Sequence, residues 1–122
     1  YIYVGGYNIT WNTDGTSAYK GALKAVDWSG STAAVTTLWS SDSNGAIQSS
    51  PVVYNSGSTD YIYFTTNGAN GKAVCVSYNI NTERSSVKWS ADSGTYTLQG
   101  FAVSDSGYLV AGNDNNKVLV IK

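Results

Sequence analysis

The feature that most constrains this chain is an internal repeat. Laid against itself at an offset of roughly 50 residues, the chain places Leu98-Gln99 on Ile47-Gln48, Val103 on Val52 and Trp89 on Trp39. Tyr1-Ile2-Tyr3 recurs as Tyr61-Ile62-Tyr63 and, more loosely, as Tyr108-Leu109-Val110. Several correspondences in the same order are hard to obtain from composition alone. Within the copies apolar residues alternate with period two, and no stretch carries the 3.6-residue period of an amphipathic helix. Alternate side chains of a strand point to opposite faces, so this pattern specifies half-buried and buried strands.

Ten strands are expected, at 1–5, 21–27, 35–40, 47–54, 61–66, 73–79, 86–90, 98–104, 108–112 and 117–121, separated by Gly, Ser, Asn and Asp punctuation. Their short connections favour antiparallel neighbours. The stretch from Ile47 to Trp89 holds one complete set of four strands, and the flanks hold partial copies. With the strands lettered A to D from the inside out, the chain reads B-C-D, A-B-C-D, A-B-C. The expected fold is therefore all-β: a β-propeller segment of about two and a half four-stranded antiparallel blades with no significant helix. Residues 1–122 form a single segment, with a partial blade at 1–40, a complete blade at 47–90 and a partial blade at 98–122. A four-stranded sheet cannot cover its own two apolar faces. The chain is accordingly expected to belong to a larger propeller, with further blades of the same parent as neighbours, or to self-associate through its open end sheets.

Charged residues are 12% of the chain and the formal net charge is -1, so no basic field exists to draw nucleic acid or acidic membranes. No apolar run approaches the roughly 20 residues of a spanning helix, and no membrane insertion is expected. Histidine is absent and Cys75 is the one cysteine. An intrachain disulfide is excluded, and the commonest zinc, copper and iron ligand sets and the Ser-His and Cys-His nucleophile arrangements go with it. Low charge, abundant hydroxyls and a lone cysteine fit an exported bacterial chain, placed outside the cell or in its envelope.

Three stretches carry a resemblance to a known family: Gln48-Ser49-Ser50-Pro51-Val52-Val53, the run Gly21-Ala22-Leu23-Lys24-Ala25-Val26-Asp27-Trp28-Ser29-Gly30, and Leu38-Trp39. In them the chain resembles the quinoprotein-like propellers with pyrroloquinoline-quinone-type repeats. The central copy keeps Trp89 but has Val76-Ser77-Tyr78 where the family pattern has Ala-x-Asp, and the last copy keeps only Val118-Leu119-Val120. The resemblance implies that Trp39 and Trp89 dock between adjacent blades, and an indole ending an outer strand can lie over a neighbouring sheet in that way. It also brings to mind a quinone held by a stacked Trp, a calcium ion, a catalytic Asp and adjacent cysteines. This chain has no adjacent cysteine pair, and residues 47–54 and 98–104 carry no Asp or Glu. No catalytic residue and no cofactor are therefore expected here. The function expected is that of a non-catalytic module acting as a scaffold for a protein or glycan partner. The alternative is a fragment of a quinone-dependent dehydrogenase-like enzyme whose active residues lie outside this chain, since one fold hosts many functions.

The candidate site residues fall between Tyr7 and Lys20, a segment that reads as a long solvated loop. Asn12 and Asp14 are the candidate oxygen donors for a Ca2+ ion, although Asn-x-Asp-Gly is also ordinary turn chemistry. Tyr7 and Trp11 are the candidate contact residues, because recognition is most often placed on loops held by a rigid scaffold. Cys75, between two valines, reads as a buried small hydrophobe, and Asn113 to Asn116 as a tight turn. Asp27, Asp60 and Asp105 are expected to cap backbone N–H groups at strand ends.

Overall fold

The computed structural model describes residues 1–11, 13–14, 17–28 and 30–122, with the backbone alone at 7–11 and 17–19. The strands are β1 (Ile2–Trp11), β2 (Ser17–Trp28), β3 (Ala33–Ser41), β4 (Val52–Ser56), β5 (Thr59–Thr65), β6 (Gly71–Asn79), β7 (Arg84–Gly94), β8 (Ala102–Val103), β9 (Leu109–Gly112) and β10 (Val118–Ile121). They form three antiparallel meanders, ordered β1-β2-β3, β4-β5-β6-β7 and β10-β9-β8. The described residues include no helix, and none of the three sheets closes on itself. The chain is all-β, and its grouping into three, four and three strands follows the repeat.

Period-two patterning decides how the sheets stack. In the central sheet Ile62 lies opposite Val76 and Phe64 opposite Val74 on one face, while Tyr63 lies opposite Cys75 and Thr65 opposite Ala73 on the other. The first face, with Tyr78, closes over Leu23, Ala25 and Leu38 of the first sheet. On the second face, Ala73 packs with Phe101, Leu109 and Ala111 of the third, and Val52, Tyr63 and Trp89 border the same cluster. A sheet covered on both faces needs apolar side chains in both phases, hence the unbroken run Ala73-Val74-Cys75-Val76 in β6. Each large side chain buried in this way stabilises the fold by about 1.5–3 kcal/mol.

Three expectations are corrected. The segment 7–20 is not an open loop: β1 and β2 stay paired from Tyr7 opposite Gly21 out to Trp11 opposite Ser17. Once Ile2 and Tyr3 are set against Val26 and Ala25, each further residue extends the backbone ladder, whatever its side chain. The inner strands are also shorter than 47–54 and 98–104. Residues 45–51 instead cross between sheets, with Ile47 N donating to Gly6 O at 3.3 Å and Ala46 bridged to Asn67. Pro51, which has no N–H to give, immediately precedes β4.

The third correction concerns the tryptophans. Ile2 lies opposite Val26 and Ile62 opposite Val76, so Ala25 is the counterpart of Cys75. Trp89 faces Cys75, but Trp39 faces Leu23, two residues further along the ladder. Each follows a β-bulge whose extra residue is Leu38 in β3 and Lys88 in β7. The bulge in β3 turns two consecutive side chains toward the core: Leu38 is buried in it and Trp39 packs against it. In β7 the extra residue is exposed. Register also moves the match of Val52 by one, because Ala102 opposite Val110 occupies the place of Val52 opposite Tyr63.

Candidate functional site

The loops joining β3 to β4, β5 to β6 and β7 to β8 meet along one edge of the stack, and backbone bonds stitch them together. Asn67 N donates to Ala46 O at 2.8 Å and Tyr96 N to Gly68 O at 2.9 Å. Asn44 Nδ2 donates to Asn70 O at 3.0 Å, and Ser41 Oγ to Asn44 Oδ1 at 2.6 Å. Gly45 has φ +87, and a Cβ there would stand 2.2 Å from Asn67 O, so the close approach of these loops requires glycine. Tyr96, whose N–H reaches Gly68 O, also takes a left-handed conformation, at φ 52.

Between these loops lies a cleft of about 500 Å³ lined by Asp42, Ser43, Gln48, Asn67 and Tyr96, with Gly45 and Gly68 in its walls. Asn67 Nδ2 donates to Gln48 Oε1. Asn67 Oδ1 is buried and has no hydrogen-bond partner among the described residues. An orphaned buried acceptor costs on the order of 1–3 kcal/mol, and Ser49 Oγ, outside this cleft, is a second such atom. A second hollow of about 430 Å³ adjoins it, sharing Ser43 and Ala69 and bordered by Lys72 and Asp92. Ion pairs Lys20–Asp42, at 3.2 Å, and Lys72–Asp92 flank this edge. Both reach solvent and contribute about 0–1 kcal/mol each.

The cleft can donate and accept hydrogen bonds through amides, hydroxyls, one carboxylate and a phenol. Among the described residues no group of three or more His, Cys, Asp or Glu could hold a metal ion. No described helix is long and apolar enough to cross a membrane. A different surface, an apolar groove of about 460 Å³, runs between the second and third sheets and is lined by Val52, Tyr54, Tyr63, Trp89, Leu109 and Ile121.

The residues singled out from sequence are not gathered at this cleft. Tyr7 and Trp11 sit in β1 with their backbones paired to β2, and their side chains lie outside the described residues. Asn12 lies outside them too, and Asp14 is an exposed turn residue, so the pair has no ligand geometry to report. Trp39, half-buried, meets Phe64 of the second sheet edge-on, with ring centroids 5.0 Å apart. Trp89, also half-buried, lies 6.1 Å from Tyr63 and packs against the cluster shared with the third sheet. Sequence reasoning passed over Asp42, Asn67 and Tyr96. The available signal was the pair of turn dipeptides Asn44-Gly45 and Asn67-Gly68, which mark the two loops that meet.

One buried group and one half-buried pair bear on chemistry. Burial pushes the Cys75 thiol up, against smaller opposing effects of the Tyr63 hydroxyl and Lys88, so it stays a protonated, poorly nucleophilic thiol. Asp60 is a correction: among the described residues it caps no backbone N–H, and it accepts from the Tyr3 hydroxyl and, at 2.6 Å, from Asn55 Nδ2. Burial and then the Asp60 hydrogen bond and charge hold the Tyr3 phenol well above its ordinary range. No family model matches the chain, and no curated protein matches it.

Proposed function

We propose that this chain is a propeller segment of the quinoprotein-like kind, exported to the cell envelope or beyond, that works as a non-catalytic scaffold for binding a glycan or protein partner. The observation that carries this reading is the cleft lined by Asp42, Gln48, Asn67 and Tyr96, held by loops that are tied to one another through their backbones. Preorganised loops lose little entropy on binding. Planar amides and a carboxylate can bind neighbouring hydroxyl groups in pairs, and a tyrosine adds an apolar face, so a neutral oligosaccharide fits this lining better than a charged ligand does. The three-sheet stack with strands in the order B-C-D, A-B-C-D, A-B-C supports the propeller part of the reading.

The test is titration of the labelled chain with a panel of neutral oligosaccharides, followed by amide chemical shifts. Shifts clustered on 42–48, 67–69 and 96, abolished by Gln48→Ala and by Asp42→Ala, are the expected result. Shifts that map elsewhere, or none across the panel, reject the glycan assignment.

A further inference from the structure

The two ends of the stack carry apolar faces whose partners can be read from the interior. Both internal interfaces join the same two kinds of face. One kind, the front, is Ile62, Phe64, Val74, Val76 and Tyr78 in the second sheet and Leu109, Ala111, Leu119 and Ile121 in the third. The other, the back, includes Leu23 and Ala25 in the first sheet and Val52, Tyr63, Ala73 and Cys75 in the second.

Register then identifies the two free faces. With Ile2 opposite Val26 and Ile62 opposite Val76, the outer face of the first sheet (Ile2, Val4, Lys24, Val26, Trp28) occupies front positions. With Val120 opposite Val110 and Cys75 opposite Tyr63, the outer face of the third sheet (Ala102, Val110, Val118, Val120) occupies back positions. The counterparts in the central sheet, Ile62, Val76, Tyr78, Ala73 and Cys75, are at most 2% exposed, whereas Ile2 is 59%, Trp28 61%, Val118 69% and Val120 57% exposed. The molecule thus presents the two separated halves of an interface that it twice makes internally.

We infer that the outer face of the third sheet binds the outer face of the first sheet of a second copy of this chain, head to tail. Front faces meet only back faces inside the molecule, and the same pairing between copies is heterologous, so it leaves one free face of each kind and propagates. Among the described residues the charges on the front face of the first sheet include Lys20, which pairs with Asp42, and Lys24, which is in the register of Val74. The long stem of Lys24 lies along the interface and carries the ammonium to the rim. The inference is independent of what the cleft binds.

Sedimentation of the full chain over a dilution series tests it, with Trp28→Glu on the front face and Val120→Glu on the back. The wild type forms dimers and larger species with rising concentration. Either substitution alone weakens association about 100-fold, as expected for a carboxylate placed in an apolar interface. Mixed in equal amounts, the two variants form a one-to-one dimer through their two intact faces and nothing larger. A wild type that stays monomeric, a mixture that stays monomeric, or assembly abolished by only one of the two substitutions overturns the inference. Both side chains are exposed, so matched circular dichroism and melting serve as the folding control. Val118→Glu and Ile2→Glu replace any variant that fails it.

Discussion

In the central sheet, Ile62, Phe64, Val74, Val76 and Tyr78 form a face sealed by the first sheet. In the first sheet, the residues in the same register are Ile2, Val4, Lys24, Val26 and Trp28, and they face outward. Pattern and pleat are shared, and the environments are opposite. The difference lies in what covers each face, which a strand's own sequence does not record. Alternation establishes that a face is apolar, and stacking decides whether it contributes to stability.

The comparison is sharpened most by truncating the two members of one register pair. Phe64→Ala should lose about 3–5 kcal/mol in a urea unfolding experiment, because it opens a cavity against Trp39 and Leu23. Val4→Ala, its counterpart at the exposed face, should stay within about 0.5 kcal/mol at a dilution where the chain is monomeric. Equal losses at the two positions would mean that the outer face is already covered in the monomer.

The tryptophans come next. Trp39→Ala and Trp89→Ala remove half-buried indoles that each bridge two sheets, and each should cost about 2–3 kcal/mol, less than a full burial. Trp28→Ala, an indole of the same size at the outer face, should change monomer stability by no more than about 0.5 kcal/mol. A further step down is Gly45→Ala, which forces a Cβ toward Asn67 O in a left-handed backbone and should cost about 1–3 kcal/mol. Its measurable signature is a change in amide shifts at Asn67 and Gly68 with the sheet cores undisturbed.

The order of the sheets was legible because Tyr61 to Thr66 and Val74 to Tyr78 alternate cleanly and consist of β-branched and aromatic residues. The extent of β1 and β2 was not, because Asn8, Thr10, Ser17 and Ala18 give the ladder no apolar rhythm while still pairing through their backbones. Nor was the offset between the tryptophans: Leu38-Trp39 and Lys88-Trp89 match at one sequence spacing, yet their bulges fall at different rungs. A bulge changes register without changing the local sequence pattern that a repeat search compares. The cleft was obscured for a related reason. Asp42, Gln48, Asn67 and Tyr96 come from three connections that each read as an ordinary turn or crossing, and only the packing of neighbouring sheets brings them together.

The smallest expected effect separates covered from uncovered faces by their titration. Tyr3, Tyr63 and Cys75 lie at the two internal interfaces, and burial is the leading cause that raises all three above their ordinary values. A neutral acid with a raised pKa in the folded chain keeps its proton there to a higher pH than in the unfolded chain. The folded state then binds more protons between the two values, and stability falls as pH rises through that window. The contribution is whole below the unfolded values, about 8.5 for a cysteine and about 10 for a tyrosine, and is lost as pH climbs through the folded ones. The melting temperature of the wild type should therefore hold steady through neutrality and decline above about pH 9, within the window set by those reference values. Cys75→Ala should remove the first part of the decline. Tyr3→Phe should lower stability at neutral pH by removing the hydroxyl that Asp60 accepts from, and should flatten the later part of the decline. Superimposable pH profiles for wild type and both variants would show that these groups titrate alike in the folded and unfolded chain, and that the interfaces between the sheets are no drier than the faces at their ends.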